Sequence, residues 1–107
     1  LELLLTRHYA NPNSRDNVGR TPLFFACIEG RDAIANVLMK KCTVDPDAKD
    51  LYGSTPLSVA ARHGCIEVVR SLLETGSVDV NSADGFGQTP LWWASNRGHS
   101  EISQLLL

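Results

Sequence analysis

The sequence predicts an all-α solenoid in which short helix-turn-helix units stack side by side. Three observations predict it: one tripeptide recurs at a fixed spacing, glycines recur in the same frame, and two helical patterns follow each tripeptide. Thr-Pro-Leu begins at Thr21, Thr55 and Thr89, and the two intervals are 55 − 21 = 34 and 89 − 55 = 34 residues. A fixed period of this size is typical of repeat architectures, so the repeating unit determines the fold.

Each unit begins with a predicted tight turn, in which an aspartate stands five residues before the threonine and a glycine stands two residues before it. The carboxylate can accept hydrogen bonds from nearby backbone N–H groups, and glycine adopts a positive φ without steric cost. The aspartates are Asp16, Asp50 and Asp84, and the glycines are Gly19, Gly53 and Gly87. The sequence therefore predicts one Asp-x-x-Gly turn per unit.

The first helix of each unit is predicted to begin at the Thr-Pro pair. Threonine at the N-cap can accept a hydrogen bond from a free backbone N–H, and proline at the first helical position loses no needed donor. A left-handed glycine is predicted to end each first helix, at Gly30, Gly64 and Gly98.

A second helix is predicted after each of those glycines, because apolar residues recur there at helical spacing. These apolar residues are Ile34, Val37 and Leu38, then Val68, Val69, Leu72 and Leu73, then Ile102, Leu105 and Leu106. Gly76 is predicted to end one of these helices. Cys42 and His8 occupy the equivalent position in two other units and predict a strained or different ending there.

The repeat period predicts that residues 1–107 form a single domain and sets the limits of the repeats within it. Residues 1–15 are predicted to be the end of a preceding repeat, residues 16–49 and 50–83 to be full repeats, and residues 84–107 to be a truncated repeat. Burying one Leu or Val side chain contributes roughly 1.5–3 kcal/mol. No single unit contains enough of these side chains to offset the entropy of ordering it, so at least three units must stack.

The combined pattern resembles the ankyrin repeat family over the whole chain, because its motifs recur together. The residues that carry the resemblance include Asp50-Leu51-Tyr52-Gly53-Ser54-Thr55-Pro56-Leu57, Ala60-Ala61, Gly64, Glu67-Val68-Val69, Leu72-Leu73 and Gly76. The resemblance implies an ankyrin-like α-solenoid of stacked helix-turn-helix repeats joined by β-turn or hairpin loops. There are two departures. The period is one residue longer than the family's usual period, and the family's histidine after Thr-Pro-Leu is replaced by Phe24, Ser58 and Trp92.

Composition and charge narrow the classes of function. The formal net charge of −2, with both signs interspersed, argues against a nucleic-acid partner, which requires a basic stripe. There is no signal peptide and no apolar run of about 18 residues, so no membrane partner is expected. The cysteines, Cys27, Cys42 and Cys65, are odd in number and form no CxxC pair. They favour a reducing compartment, cytoplasmic or nuclear.

No motif in the sequence indicates catalysis, which needs a nucleophile or an acid–base pair held in a pocket. His63 and Cys65 flank a glycine turn but are too few for zinc, which takes three or four protein ligands. Asp45, Asp47 and Asp50 are interpreted as a solvated turn, with a weak cation site as the minor alternative. We therefore expect a non-catalytic protein without cofactor or metal.

The resemblance implies a protein–protein interaction module that binds a polypeptide partner on a concave face formed by the turn tips and first helices. The family's variable positions, carried over to this sequence, predict the partner-binding residues. They are Asn17, Val18, Arg20, Ile28 and Glu29 in the first full repeat, Leu51, Tyr52, Ser54, Arg62 and His63 in the second, and Gly85, Phe86, Gln88, Asn96 and Arg97 in the last.

The residue types at these positions favour binding, because exposed aromatic and arginine residues are typical of interface hot spots. The alternative is that turn tips tolerate scattered apolar side chains. Arg20, Arg62 and Arg97 outnumber Glu29 on this face, so we expect a protein or peptide partner with an acidic or mixed surface. Its affinity should weaken modestly with salt.

The adjacent tryptophans are predicted to differ in environment, because neighbouring helical residues point about 100° apart. Trp93 aligns with Phe25 and Val59 and is predicted to pack in the core. Trp92 occupies the position of the family's histidine, where packing is favoured over an exposed anchor.

Two alternative functions stay open at this point. The first is an intramolecular regulatory or spacer segment of a larger multidomain protein, such as a signalling ATPase or another enzyme. The second is end-to-end self-stacking, because the sequence begins with Leu1-Glu2-Leu3-Leu4-Leu5 and ends on Leu105-Leu106-Leu107 without the polar outer face of a capping repeat. The same feature predicts that the chain is a piece of a longer array.

Overall fold

The computed structural model describes residues 14–40 and 44–107, which form six α-helices in three successive pairs. The first helices of the pairs are α1, α3 and α5, which span Pro22–Glu29, Pro56–His63 and Pro90–Asn96. The second helices are α2, α4 and α6, which span Asp32–Met39, Ile66–Glu74 and Ser100–Leu106. These residues contain no β-strand, and the predicted all-α helix-turn-helix class is confirmed.

The helices form two layers. The first helices α1, α3 and α5 contact one another in that order, the second helices α2, α4 and α6 do the same, and each pair also packs internally. In this arrangement each unit buries its apolar surface on the next one. One core cluster runs through all three pairs, and its largest fully buried side chains are Phe24, Leu23, Leu38, Leu57, Leu72 and Ile102.

The predicted Asp-x-x-Gly turn precedes each first helix. In the second unit, Asp50 Oδ1 accepts hydrogen bonds from the N–H groups of Tyr52 and Ser54, both at 2.9 Å. The Gly53 N–H donates to the Asp50 carbonyl at 3.1 Å, and Gly53 has a φ of +76°. Equivalent carboxylate bonds form in the other two turns, so the turn prediction is confirmed.

Hydrogen bonds also join consecutive turns at their tips. The Leu51 N–H donates to the Val18 carbonyl at 2.9 Å, and the Gly85 N–H donates to the Tyr52 carbonyl at 2.8 Å. Because the tips are tied to each other, the side chains that they carry are held at a fixed spacing along one face of the array.

The N-caps differ from the prediction in one unit. Thr55 Oγ1 accepts a hydrogen bond from the Ser58 N–H at 3.2 Å, and the same bond forms in the third unit. Thr21 has a buried hydroxyl that makes no hydrogen bond in the described structure, so the predicted cap is wrong there. The first turn of α1 is looser, since the Phe25 N–H lies 3.4 Å from the Thr21 carbonyl, compared with 3.0 Å for the equivalent bond of Val59.

The predicted left-handed glycines follow all three first helices, and Gly64 also leaves room for the next unit. A Cβ at Gly64 would lie 2.7 Å from Cε1 of His99. His99 Nε2 lies 3.1 Å from the Arg62 carbonyl oxygen and donates its N–H, because a carbonyl oxygen only accepts. The imidazole therefore joins the start of α6 to the end of α3.

Two described cysteines also connect neighbouring units. Cys27 is buried, Cys65 is partly buried, and both are free thiols. The Cys65 thiol donates to the Cys27 carbonyl at 3.2 Å. Burial raises the pKa of both thiols above the ordinary value, which disfavours the reactive thiolate form.

Some predictions concern residues outside the described ranges. Residues 1–13 of the expected preceding repeat lie there, and so do His8 and Cys42, where the helix ends were expected to be strained or different. The repeat limits at 15/16, 49/50 and 83/84 stay a prediction. Each described helix has only seven to nine residues, and none is long and apolar enough to cross a membrane.

Candidate functional site

A groove of about 280 Å³ lies between the turn tips and the first helices. All three units contribute to it, through Val18, Arg20, Ile28, Asp50, Tyr52, Ser54, Val59, Arg62, Asp84, Phe86 and Trp93. This set, called the groove below, combines aromatic, aliphatic, cationic and acidic side chains.

A larger depression of about 340 Å³ lies at the starts of α4 and α6. Its lining includes Gly64, Gly98, His99 and Ser100, and His99 is already bonded to the Arg62 carbonyl. No aromatic side chain other than the engaged imidazole lines this depression. The groove is the better candidate site, because aromatic and arginine side chains meet there.

The structure brings about half of the predicted partner-binding residues into the groove, namely Val18, Arg20, Ile28, Tyr52, Ser54, Arg62 and Phe86. The predicted residues outside its lining are Asn17, Glu29, Leu51, His63, Gly85, Gln88, Asn96 and Arg97. Four lining residues were not predicted: Asp50, Val59, Asp84 and Trp93. The two aspartates had been assigned to the turns, Asp50 also to the alternative of a weak cation site, and the other two residues had been assigned to the core.

Trp93 lies in the groove and is only partly buried, so its prediction as a core residue is wrong. Its position on α5 faces the turn of the same unit, where the indole N–H donates to Asp84 Oδ2 at 3.0 Å. The guanidinium carbons of Arg62 and Arg97 lie 5.1 and 5.7 Å from the Trp93 ring centroid. Both distances are within the range of cation–π attraction.

Trp92 also differs from its prediction, because it is 41% exposed. At the same repeat position, Phe24 and Ser58 are buried. Phe24 lies on α1, which packs against α3, and Ser58 lies on α3, which packs against α5. Among the described residues, no helix of a next unit packs against α5 in the same way. Trp92 meets Trp93 edge to face, with ring centroids 5.0 Å apart, and does not line the groove.

Other side chains bond the turn carboxylates in the absence of the histidine that follows Thr-Pro-Leu in the family. In the third unit, the Trp93 indole bonds to Asp84. In the first unit, Arg20 Nε donates to Asp16 Oδ2 at 2.8 Å, and its guanidinium lies 5.1 Å from the ring centroid of Phe25. These side chains help to hold the turns against the first helices.

Asp84 is buried, with 8% of its surface exposed. Burial by itself raises its pKa, but the hydrogen bonds from Gln88, Trp93 and Phe86 and the positive charge of Arg62 outweigh that effect. The pKa of Asp84 is therefore held below its ordinary value of 3.8. The ionised carboxylate accepts three N–H groups, and this fixes the indole orientation.

We expect Asp84→Asn to lower the free energy of unfolding at pH 7 by about 1–3 kcal/mol. The new amide NH₂ would face the Trp93 indole N–H, so two donors would meet. The lowered pKa of Asp84 contributes stability that is present above pH 3.8 and is lost as the pH falls through the folded-state value. The difference between the two proteins should therefore shrink below about pH 4, as measured by urea denaturation at pH 7 and pH 3.

Asp45→Asn is the matched control, because it removes the same charge from an exposed turn. Asp45 Oδ1 accepts one backbone N–H, from Asp47 at 2.9 Å, and an asparagine side-chain oxygen can keep that bond. Its stability should stay close to that of the wild type. Wild-type stability of Asp84→Asn at pH 7 would show that the carboxylate–indole bond is unimportant.

The ends of α3 and α5 form a positive region beside the groove, where Arg62, His63, Arg97 and His99 lie. Burial, followed by the charges of these three neighbours, lowers the pKa of His63 below its ordinary value. His63 therefore favours the neutral form, whereas the arginines keep their positive charge.

Comparison with known families identifies one family. The family model for ankyrin repeats, which represents three copies, matches residues 1–84 and again residues 42–107, so the two matches together cover the whole sequence. No curated protein matches this chain.

Proposed function

This chain belongs to the ankyrin repeat family, and on that premise we propose that it is a protein-interaction module whose groove binds a polypeptide partner. Ankyrin repeats are generally protein-interaction modules and typically have no catalytic activity. The family alone does not define a binding face, because a fold hosts many functions. The choice of the groove rests on the side chains that this chain places there.

The main support is the exposure of two aromatic side chains at the turn tips. Tyr52 is 56% exposed and Phe86 is 72% exposed, and both line the groove beside Trp93. Large aromatic side chains contribute binding free energy when a partner removes them from water. Their position beside polar groups matches the composition of binding hot spots.

A polypeptide suits this surface better than a small molecule. Small-molecule sites enclose most of the ligand surface in a concave pocket, whereas Tyr52 and Phe86 project from turn tips and remain largely in water. The three tied turns hold their side chains in a row, and successive side chains of an extended peptide can contact such a row.

We expect that peptides selected from a random phage-display library for binding to the 107-residue chain will need Tyr52 and Phe86 for their affinity. The double variant Tyr52→Ala/Phe86→Ala should bind the selected peptides roughly tenfold more weakly or worse, because it removes both exposed apolar anchors. Fluorescence anisotropy with labelled synthetic peptides measures the dissociation constants.

Leu51→Ala is the matched control for the double variant. Leu51 lies on the same turn as Tyr52 and is 75% exposed, but it does not line the groove. Its replacement should leave peptide affinity unchanged, and the melting temperature of each variant checks that the array is folded. Selected peptides that bind the double variant as tightly as the wild type would place the binding site elsewhere.

A further inference from the structure

Arg62, which lines the groove, and Arg97, which lies beside it, lack a carboxylate partner in the described part of the chain. The ion pairs there involve other arginines, whereas Arg62 and Arg97 both lie over Trp93. Neither guanidinium makes a hydrogen bond within the described residues, and a cation–π contact does not use up the N–H donors. Arg62 and Arg97 therefore have donor groups available to an incoming anion.

The groove carboxylate Asp84 does not form an ion pair with them. Asp84 accepts N–H groups from Phe86, Gln88 and Trp93, so its hydrogen-bonding capacity is largely used within its own unit. The charge of Arg62 still acts on it, because it contributes to the lowered pKa of Asp84. This interaction acts at a distance and leaves the Arg62 donors unoccupied.

Arg20 lines the groove as Arg62 does, but it differs from Arg62 and Arg97 because it has a carboxylate partner. Its Nε bonds to Asp16 Oδ2 at 2.8 Å, and its guanidinium lies over Phe25. An anion that bound Arg20 would compete with that internal carboxylate. The anion-binding capacity of this face is therefore concentrated at Arg62 and Arg97.

The charges of the groove favour a single carboxylate over a more highly charged anion. Two cations beside one indole ring repel each other, and an anion near both relieves that repulsion. The groove also contains Asp50 and Asp84, which repel a phosphate dianion more strongly than a carboxylate monoanion. A nucleic-acid backbone requires a basic stripe, and the chain has a net charge of −2.

We propose that the groove selects peptide segments in which an Asp or Glu side chain lies near an apolar side chain. Arg62 and Arg97 hold the carboxylate beside Trp93, and Tyr52 and Phe86 contact the apolar side chain. This inference rests on the proposed function and specifies the chemical class of its partner.

The test is a double-mutant cycle on a peptide taken from the library selection. The protein change is Arg62→Gln, and the peptide change replaces the selected acidic residue by its amide. Each single change should weaken binding on the order of tenfold, because it removes one partner of a charge-assisted hydrogen bond. The double change should be little weaker than either single change, since both remove the same interaction.

Two further variants test what the contact depends on. One tests whether binding needs the shape of the guanidinium as well as its charge, and the other tests whether a charge removed elsewhere on the protein has the same effect. Arg62→Lys keeps the charge but loses the planar fork, and we expect an affinity between those of the wild type and Arg62→Gln. Arg70→Gln removes the same charge from α4, where Arg70 faces Glu67 and Glu101. Arg70 does not line the groove, so this variant should bind the peptide as the wild type does.

The outcomes distinguish this inference from the proposed function. Selected peptides that need Tyr52 and Phe86 but have no acidic residue, or that ignore Arg62→Gln, would overturn the carboxylate inference and leave the groove as the binding site. A phosphoserine peptide that binds more tightly than the matching glutamate peptide would also overturn it. Peptides that ignore Tyr52→Ala/Phe86→Ala, or a selection without any binder, would count against the proposed function itself.

Discussion

Phe24→Ala should lower the free energy of unfolding by about 3–5 kcal/mol, because it creates a cavity in the core. Phe24 is 0% exposed and is the largest fully buried side chain among the described residues. Helices α1 and α3 are close-packed around such side chains, so the surroundings can fill the space only in part. Domains of this size have a total stability of roughly 5–15 kcal/mol, and the variant should lose much of it.

The loss should appear first in the first helix pair, because each unit of a repeat protein depends mainly on its neighbours. Both tryptophans, Trp92 and Trp93, lie on α5, so tryptophan fluorescence reports on the third pair, whereas far-UV circular dichroism reports on all helices. In the wild type, we expect the urea unfolding transitions measured by fluorescence and by circular dichroism to coincide. In Phe24→Ala, the circular dichroism transition should begin at a lower urea concentration than the fluorescence transition.

Trp92→Ala is the control at the same repeat position in the third unit. It removes a larger side chain, but Trp92 is already 41% exposed, so the loss of stability should be smaller than for Phe24→Ala. Trp92 also lies outside the groove lining, and its replacement should lower the melting temperature more than it changes peptide affinity. A larger loss of stability from Trp92→Ala would contradict this account of the position.

The sequence predicted the fold well because the fold depends on local signals that repeat. Asp50, Gly53 and Thr55 each interact with residues a few positions away along the chain, and the same three residue types recur at the same spacing in all three units. The core residues could be predicted because apolar residues recur at helical spacing, and because the Thr-Pro pairs and the glycines indicate where the helices begin and end. The cap at Thr21 could not be predicted in this way, because the three threonines share one motif and only Thr55 and Thr89 accept the cap hydrogen bond.

The candidate site was predicted less completely, because position in a repeat does not specify the direction of a side chain. Leu51 and Tyr52 are adjacent on one turn and both exposed, but only Tyr52 lines the groove. Trp93 was assigned to the core because it aligns with Phe25 and Val59, neither of which has an indole N–H. The hydrogen bond to Asp84 uses that additional donor, and alignment of apolar positions could not predict it.

Gly53→Ala should lower the free energy of unfolding by about 2–4 kcal/mol, from two separate causes. An alanine at its φ of +76° is strained, which costs about 1–2 kcal/mol. The added Cβ would also lie 3.0 Å from the Gly85 nitrogen and 3.4 Å from the Asp84 carbonyl carbon. Both are backbone atoms that cannot rotate away, so the third turn must move and the 2.8 Å bond from Gly85 to Tyr52 must weaken.

Gly87→Ala separates these two causes, because Gly87 occupies the same position in the third turn. Its φ is +79°, but an added Cβ would meet nothing within 4 Å, so only the backbone strain applies. Thermal and urea denaturation should show Gly53→Ala to be less stable than Gly87→Ala by about 1 kcal/mol or more. Gly53→Ala should also weaken binding of the selected peptides, because the bond between the turns sets the spacing of Tyr52 and Phe86. Equal stability of the two variants would show that contact between these turns contributes little to the array.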